Sequence, residues 1–243
     1  MPFTFSHPAI ILPLSLLPKK WFSLTGLIIG SLTPDFEYFI RMKIQSDCSH
    51  NIEGLLWFNF PVGIILTFIF HNIVKVALVN NSPNFIYRRM IAFNEFNWNN
   101  YFKKNWLIVI ISIIIGALSH LFWDSFTHIH GYFVENLDIY KNNYSVAGKE
   151  IPLYKIMQHS STLIGGLIIL IAFVRLPKMD LKNEISPRYW LTFAIVAVAI
   201  ISIRCFFGLH ISEYGNVVVT LISSSIMAAI ITPLTYRASK KCW

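Results

Sequence analysis

Residues 106–126 read WLIVIISIIIGALSHLFWDSF, an apolar run with a single formal charge, Asp124, close to its end. A helix crosses a bilayer with about 20 such residues. Four further runs have the same character: Gly54–Val74, Ser160–Val174, Tyr189–Phe207 and Asn216–Tyr236. The run Ser160–Val174 is short, and its Gly165-Gly166 pair allows close helix packing. The expected fold is therefore all-α, a polytopic transmembrane helical bundle with about five full crossings, in a single integral membrane domain covering residues 1–243.

Composition leads to the same class. Of 243 residues, 55% are hydrophobic and only 13% are charged, with a mean hydropathy of +0.56. That is about half the usual charged share, and a water-soluble domain of this length cannot hide so much apolar surface. The net charge of +8 sits in short loops between apolar runs, which signals topology and excludes nucleic acid as the expected partner. The lipid bilayer is the expected one. Cys48, Cys205 and Cys242 match no zinc or redox spacing and read as incidental. The N-terminus lacks the features of a cleaved secretory signal.

Arg88, Arg89, Lys103 and Lys104 lie in the polar stretch Asn80–Asn105, which suits an interfacial helix. Arg175, Lys178, Lys182 and Arg188 follow the third crossing, and Arg237, Lys240 and Lys241 form the tail. Five crossings put these three segments on one side, the cytoplasmic one. Loops 127–159 and 208–215 then face outward. Arg41 and Lys43 count against this orientation but are outnumbered.

The first 35 residues differ. Ala9–Leu17 and Trp21–Leu32 are apolar, but Pro18, Lys19 and Lys20 divide them. At about 1.5 Å per residue, each arm reaches half-way across the membrane. The simplest reading is an N-terminal half-membrane helical hairpin, opened by His7 and closed by Asp35. The lysines at its tip must find water or a partner.

Placed on this topology, seven of the eight histidines gather at the outer level. His7 stands at the hairpin mouth, His50 before the first crossing, and His120, His128 and His130 at the outer end of the second. His159 begins the third crossing and His210 lies in the short outer loop. His71, near the cytoplasmic end, reads as structural. Within 119–128, His120, Asp124 and His128 stand at i, i+4 and i+8, so neighbours share a helix face. Imidazole and carboxylate on one face chelate one ion or bridge two, and ionisable groups in the apolar layer are usually functional. A hydrogen-bonded structural His-Asp pair is the alternative.

Other positions are ambiguous. Pro34-Asp35 reads alone as a helix stop. Glu37 and Tyr38 read as interfacial. Arg204 either snorkels outward or holds an anionic substrate group. Ser160 and Ser161 read as caps of the next helix. There is no Gly-rich phosphate loop and no Gly-x-Ser-x-Gly elbow.

Four stretches resemble the bacterial membrane family called domain of unknown function 4184. They are Met-Pro-Phe-Thr-Phe-Ser-His-Pro at the start, Gly-Ser-Leu-Thr-Pro-Asp-Phe-Glu-Tyr-Phe at 30–39, Ser-His-Leu-Phe-Trp-Asp-Ser-Phe-Thr-His at 119–128, and Pro-Leu-Tyr-Lys-Ile-Met-Gln-His-Ser-Ser at 152–161. The order His, Pro-Asp, His, His-x-x-x-Asp is also similar to inner-membrane metal-dependent hydrolases and to the zinc-dependent phospholipase C and P1 nuclease group. That resemblance implies His7, Asp35, His50, His120 and Asp124 as metal ligands, with His159 as a later one. The soluble enzymes carry an acid one turn after their later histidine, where this chain has Leu163 and Ile164. They also use an N-terminal amine. The implied cofactor is accordingly one or two divalent ions, zinc foremost, rather than three.

Two function classes follow. The first is a membrane-embedded metal-dependent hydrolase of a phosphoester in a lipid or envelope component. In it Asp35 and Asp124 are catalytic, His128 orients Asp124 or ligates, and Arg204 contacts substrate. The second is a non-enzymatic membrane protein, either a metal or proton carrier or a structural partner. The cytoplasmic halves of the crossings offer little beyond His71 and Asn72, which favours a one-sided site near the periplasmic or outer face.

The basic-residue asymmetry predicts that a reporter fused after Trp243 is active in the cytoplasm, and that one inserted in loop 131–158 is active outside. The reverse pattern would invert the topology.

Overall fold

The computed structural model describes residues 3–18, 20–146, 148–210 and 212–240, with the backbone alone for 236–240. Met1 and Pro2 of the N-terminal motif, Lys19 of the hairpin tip, and Lys241, Cys242 and Trp243 of the tail lie outside the described residues. The chain is an all-α polytopic membrane protein. In order it forms α1 (Pro8–Ile11), α2 (Leu24–Gly30), α3 (Phe36–Arg41), α4 (Phe60–Ile69), α5 (Trp98–Thr127), α6 (Leu153–Val174), α7 (Pro187–Phe206) and α8 (Tyr214–Lys240), with shorter turns between them. One small antiparallel hairpin, β1 (Asn143–Val146) with β2 (Lys149–Pro152), pairs Asn143 with Pro152.

Among the described residues, five helices are long and apolar enough to cross a membrane: Ile52–Asn80, Trp98–Asn136, Leu153–Val174, Pro187–Phe206 and Tyr214–Thr235. They correspond to the five expected crossings, with some ends moved. The first contains α4 and two π-helical turns, Leu55–Asn59 and Phe70–Val74. The third starts at Leu153, well before Ser160, because Pro152 is its N-cap. Ser160 and Ser161 are therefore helix-interior residues and not caps. The Ser161 hydroxyl donates to the Gln158 carbonyl at 3.0 Å, the local back-bonding open to a mid-helix serine.

The chain divides into two compact units. The first comprises residues 1–35, 48–64 and 105–175. Its N-terminal part is the expected hairpin in outline: helical turns over Thr4–Leu16, a break, then α2. Ser23 caps α2 and accepts from the Gly26 amide at 3.2 Å. The decisive contact in this unit is α2 against α5. A Cβ on Gly26 would stand 2.9 Å from Ser112 Cβ. One on Gly30 would overlap the Ile113 carbonyl, and one on Gly116 would overlap the Leu27 carbonyl. Gly26 and Gly30 on one helix, and Ser112 and Gly116 on the other, are small residues four apart, the pattern that brings membrane helices backbone to backbone. The Ser112 hydroxyl also accepts from the Ser23 amide at 2.8 Å. A Cβ on Gly165 of α6 would stand 2.8 Å from the Ser6 carbonyl, whereas one on Gly166 would meet nothing within 4 Å among the described residues, so the first glycine of that pair is the one that serves packing.

The second unit comprises residues 36–47, 65–104 and 176–243. Here α7 and α8 pack as neighbours joined by a short loop. Lys75 is buried and donates to the Phe93 and Phe96 carbonyls at 2.8 and 2.9 Å. His71 stacks on Trp98 with ring centroids 4.6 Å apart, which agrees with its structural reading. The polar stretch 80–105 folds into the short helix Asn84–Met90, a 3-10 turn over Ile91–Glu95, and the start of α5. Arg88 pairs with Asp180. Glu37 and Tyr38 are buried, at 3% and 8% exposure. The Glu37 carboxylate is enclosed by the Arg41 guanidinium at 2.9 Å and the Asp47 amide at 2.9 Å, which offset its desolvation.

Gly30→Ala should lower the thermal midpoint in detergent, at a cost of about 1–3 kcal/mol or more for overpacking. Gly166→Ala should leave the midpoint unchanged. Equal midpoints for the two variants would show that the α2–α5 approach is not tight.

Candidate metal centre

Six of the expected site residues, drawn from four separate stretches of chain, converge within the first unit. His7 ends the 3-10 turn Thr4–Ser6 and precedes α1, whose first residue, Pro8, already lacks the N–H that a helix start leaves unpaired. Asp35 closes the 3-10 turn Thr33–Asp35 directly after α2, so the Pro34-Asp35 stop is also what delivers this carboxylate. His50 sits in a tight turn. There the Asn51 side chain accepts from the Gly54 amide at 2.6 Å, and Asn59 reaches back to donate to the Ser49 carbonyl at 2.7 Å. A Cβ on Gly54 would overlap the Cys48 carbonyl, so the turn needs glycine. His120 and Asp124 follow one another along α5 at the four-residue spacing, and His128 stands directly after its last residue, where its amide donates to the Asp124 carbonyl at 3.0 Å.

The distances are short. His120 Nε2 lies 3.2 Å from Asp124 Oδ2 and 3.6 Å from Asp35 Oδ1. His50 Nε2 lies 3.6 Å and 3.4 Å from the same two oxygens. On the other Asp124 oxygen, Oδ1, His7 Nε2 is at 3.7 Å and His128 Nδ1 at 3.4 Å. The His7 and His120 rings stack with centroids 3.7 Å apart. Burial is graded. The side chains of His120, His7 and Asp35 are 0%, 1% and 2% exposed, while those of His50 and His128 are 20% and 30% exposed. The last two form the accessible edge.

Three supporting contacts orient these groups. The Ser31 carbonyl lies 2.8 Å from His120 Nδ1, which puts the ring proton on Nδ1 and turns the Nε2 lone pair toward the carboxylates. Ser49 Oγ lies 3.0 Å from His50 Nδ1 and can do the same there. The Thr4 hydroxyl donates to Asp35 Oδ2, leaving Oδ1 to face the histidines. Outer-shell partners of this kind fix tautomer and orientation in metal sites. Sequence reading assigned none of them a role. Thr4, three residues before His7, and Ser49, beside His50, were the available signals.

Both nitrogens of His7, His120 Nε2, Asp124 Oδ1 and His128 Nε2 are buried without a hydrogen-bond partner among the described residues. Buried polar atoms are nearly always satisfied, so a cluster of such atoms facing one another calls for an explanation. Two triads, His7–Asp35–His120 and His50–His120–Asp124, each place one ligand atom per residue within 4.8 Å of the others. Burial, then the neighbouring His120, pushes the His7 imidazole down to about 3. Burial alone would raise the Asp35 carboxyl, but His120 and His50 outweigh it and hold it below its ordinary value. A metal takes the ionised carboxylate and displaces any second proton from a ligating imidazole.

Two expected residues are not gathered. His159 is exposed on α6 and belongs to neither triad. The buried residues of α6 are Ser161 and Gly165, and His159 stands roughly 200° around the helix from Ser161, pointing away from them. Arg204 is in the second unit, where its guanidinium approaches the Phe207 carbonyl at 3.4 Å, close to the outward-snorkelling reading. His130 is exposed and pairs with Glu135 at 3.3 Å.

The family described as Domain of unknown function (DUF4184) matches residues 1–234, and the chain belongs to that family. No curated protein and no solved structure matches the chain.

Thr4→Val strips the buried Asp35 carboxylate of its donor and should cost about 1–3 kcal/mol, read as a lower thermal midpoint. Thr4→Ser should retain the wild-type midpoint. If Val and Ser behave alike, the Thr4–Asp35 contact does not hold the centre together.

Proposed function

We propose that this protein is a membrane-embedded, metal-dependent hydrolase acting on a phosphoester of a lipid or envelope component. Its site lies toward the outer face of the bacterial inner membrane. The observation that carries this reading is the set of four cross distances, 3.2–3.6 Å, between the Nε2 atoms of His50 and His120 and the facing oxygens of Asp35 and Asp124. Four ligands at about 2.0–2.2 Å around a tetrahedral ion stand about 3.3–3.6 Å apart. Mixed imidazole and carboxylate donors suit zinc, with manganese or iron tolerated.

One ion fits better than two. Both triads depend on His120, and its Nδ1 is committed to Ser31. A single Nε2 lone pair serves one metal at a time. When bound, a divalent ion polarises a phosphoryl oxygen and lowers the pKa of a water toward neutrality. The chain supplies the rest. Asp35 Oδ2 is occupied by Thr4, whereas Asp124 Oδ1 is not hydrogen-bonded and faces His128 at 3.4 Å. Of the two carboxylates, Asp124 is therefore the one placed to take a proton from the attacking water. His128, at the accessible edge, is placed to pass that proton on.

Elemental analysis of detergent-purified protein should find stoichiometric zinc in the wild type and in His159→Ala, and little in His120→Ala or Asp124→Ala. Ser49→Ala should weaken affinity about 10–100-fold. A wild type without metal would defeat the reading. Bound zinc with no cleavage of phosphoester lipids would leave a metal carrier in its place.

A further inference from the structure

Against the outer side of His7 lies a cavity of about 290 Å3 that the cluster does not use. One wall is Ser6, His7, Ala9 and Ile10, another is Trp123, and α6 supplies the third. On α6 the lining includes Met157, Ser161, Ile164 and Ile168, spaced i, i+4, i+7 and i+11, one face of the helix. That stripe is roughly 16 Å long at the helical rise. Ile164 and Ile168 are 59% and 41% exposed, so this bore is open along α6, and an alkyl chain can enter it from the side. The cavity lies at the low end of the roughly 300–1,000 Å3 of small-molecule pockets, too small for a whole lipid.

The lining is mainly apolar, and the Ser6 and Ser161 hydroxyls are satisfied locally. Ser6 donates to the Phe3 carbonyl at 2.7 Å and Ser161 to the Gln158 carbonyl at 3.0 Å. His7 also lines the bore, and its two ring nitrogens have no hydrogen-bond partner among the described residues. Trp123 precedes Asp124 in α5, so the cavity and the carboxylate cluster share two adjoining walls.

We propose that this cavity holds one alkyl chain of the phosphoester substrate, laid along α6 with the phosphate end at His7 and the Asp124 cluster. The proposal rests on the hydrolase reading and narrows its substrate to a phosphoester lipid gripped by a single chain. Binding energy then comes from methylene burial along the bore, remote from the reacting centre, as is effective for positioning. Ala9→Leu shortens the bore without touching any metal ligand.

The test uses full-length protein in phosphatidylcholine nanodiscs containing phosphatidic acid with a diazirine at one acyl-chain end. Photolabelling should be saturable, should be competed by unlabelled phosphatidic acid, and should map to the half-buried Ala9, Ile10 and Met157. In Ala9→Leu the loss of about two buried methylene groups should weaken labelling about tenfold, with zinc content at the wild-type level. Label that rises linearly with probe and spreads equally over the exposed Leu163, Leu167 and Leu170 would overturn the proposal, as would an unchanged Ala9→Leu. Saturable cavity labelling of a protein that binds no zinc would refute the hydrolase and keep the chain site. Bound zinc with unsaturable labelling would do the reverse.

Discussion

The first unit depends on how closely α2 can approach α5. Gly26 and Gly30 face Ser112 and Gly116, and three of these four positions have no room for a larger side chain. In lipid, apolar side chains gain little by leaving one surrounding for another. Close van der Waals contact through small residues is then what joins helices. This contact has a chemical consequence one turn further on. With Gly116 pressed against the Leu27 carbonyl, the Ser31 carbonyl at the end of α2 arrives at His120 Nδ1, 2.8 Å away. The same end of α2 leads directly into Thr33–Asp35. One helix crossing thus sets the tautomer of a histidine and the position of the carboxylate facing it.

Charge explains why the remaining groups must be where they are. Two carboxylates buried in an apolar layer are costly unless compensated. Four imidazoles surround them; a protonated ring balances a carboxylate while no metal is bound, and a ring that ligates a metal must give that proton up. One divalent cation would match two carboxylates, with the imidazoles completing its coordination. Lys75 and Glu37, also buried, are compensated differently, by backbone carbonyls in one case and by a guanidinium and an amide in the other. Those groups are closed structural contacts. The His–Asp cluster is not closed in this way, because several of its nitrogens and one oxygen face inward without a hydrogen bond.

Much of the candidate centre was readable from spacing and topology. His120, Asp124 and His128 share a face because four residues are nearly one turn, whatever the surroundings. His7 and Asp35 come to one level because two short arms cannot cross the membrane and must return. His159 was misplaced for an equally physical reason. Its level along the membrane followed from the apolar run, but its azimuth depended on where α6 begins and which face it buries. Pro152 starts that helix earlier than the hydrophobic boundary suggests, and Ser161 and Gly165 take the inward face. The small-residue pairs at 26, 30, 112 and 116 were visible as a four-residue spacing, yet nothing in one chain says which pair meets which.

By itself the sequence determined the fold class, the number of helices able to cross a membrane and the shared face of His120, Asp124 and His128, because hydropathy, length and helical period are local quantities. Tertiary structure alone decided which groups touch. It chose His7 and His50 over His159, placed Thr4, Ser31 and Ser49 behind Asp35, His120 and His50, and left an apolar cavity beside His7. Those outcomes depend on helix rotation and interhelical distance. They are set by backbone-to-backbone contacts between residues far apart in the chain, which carry no local signal.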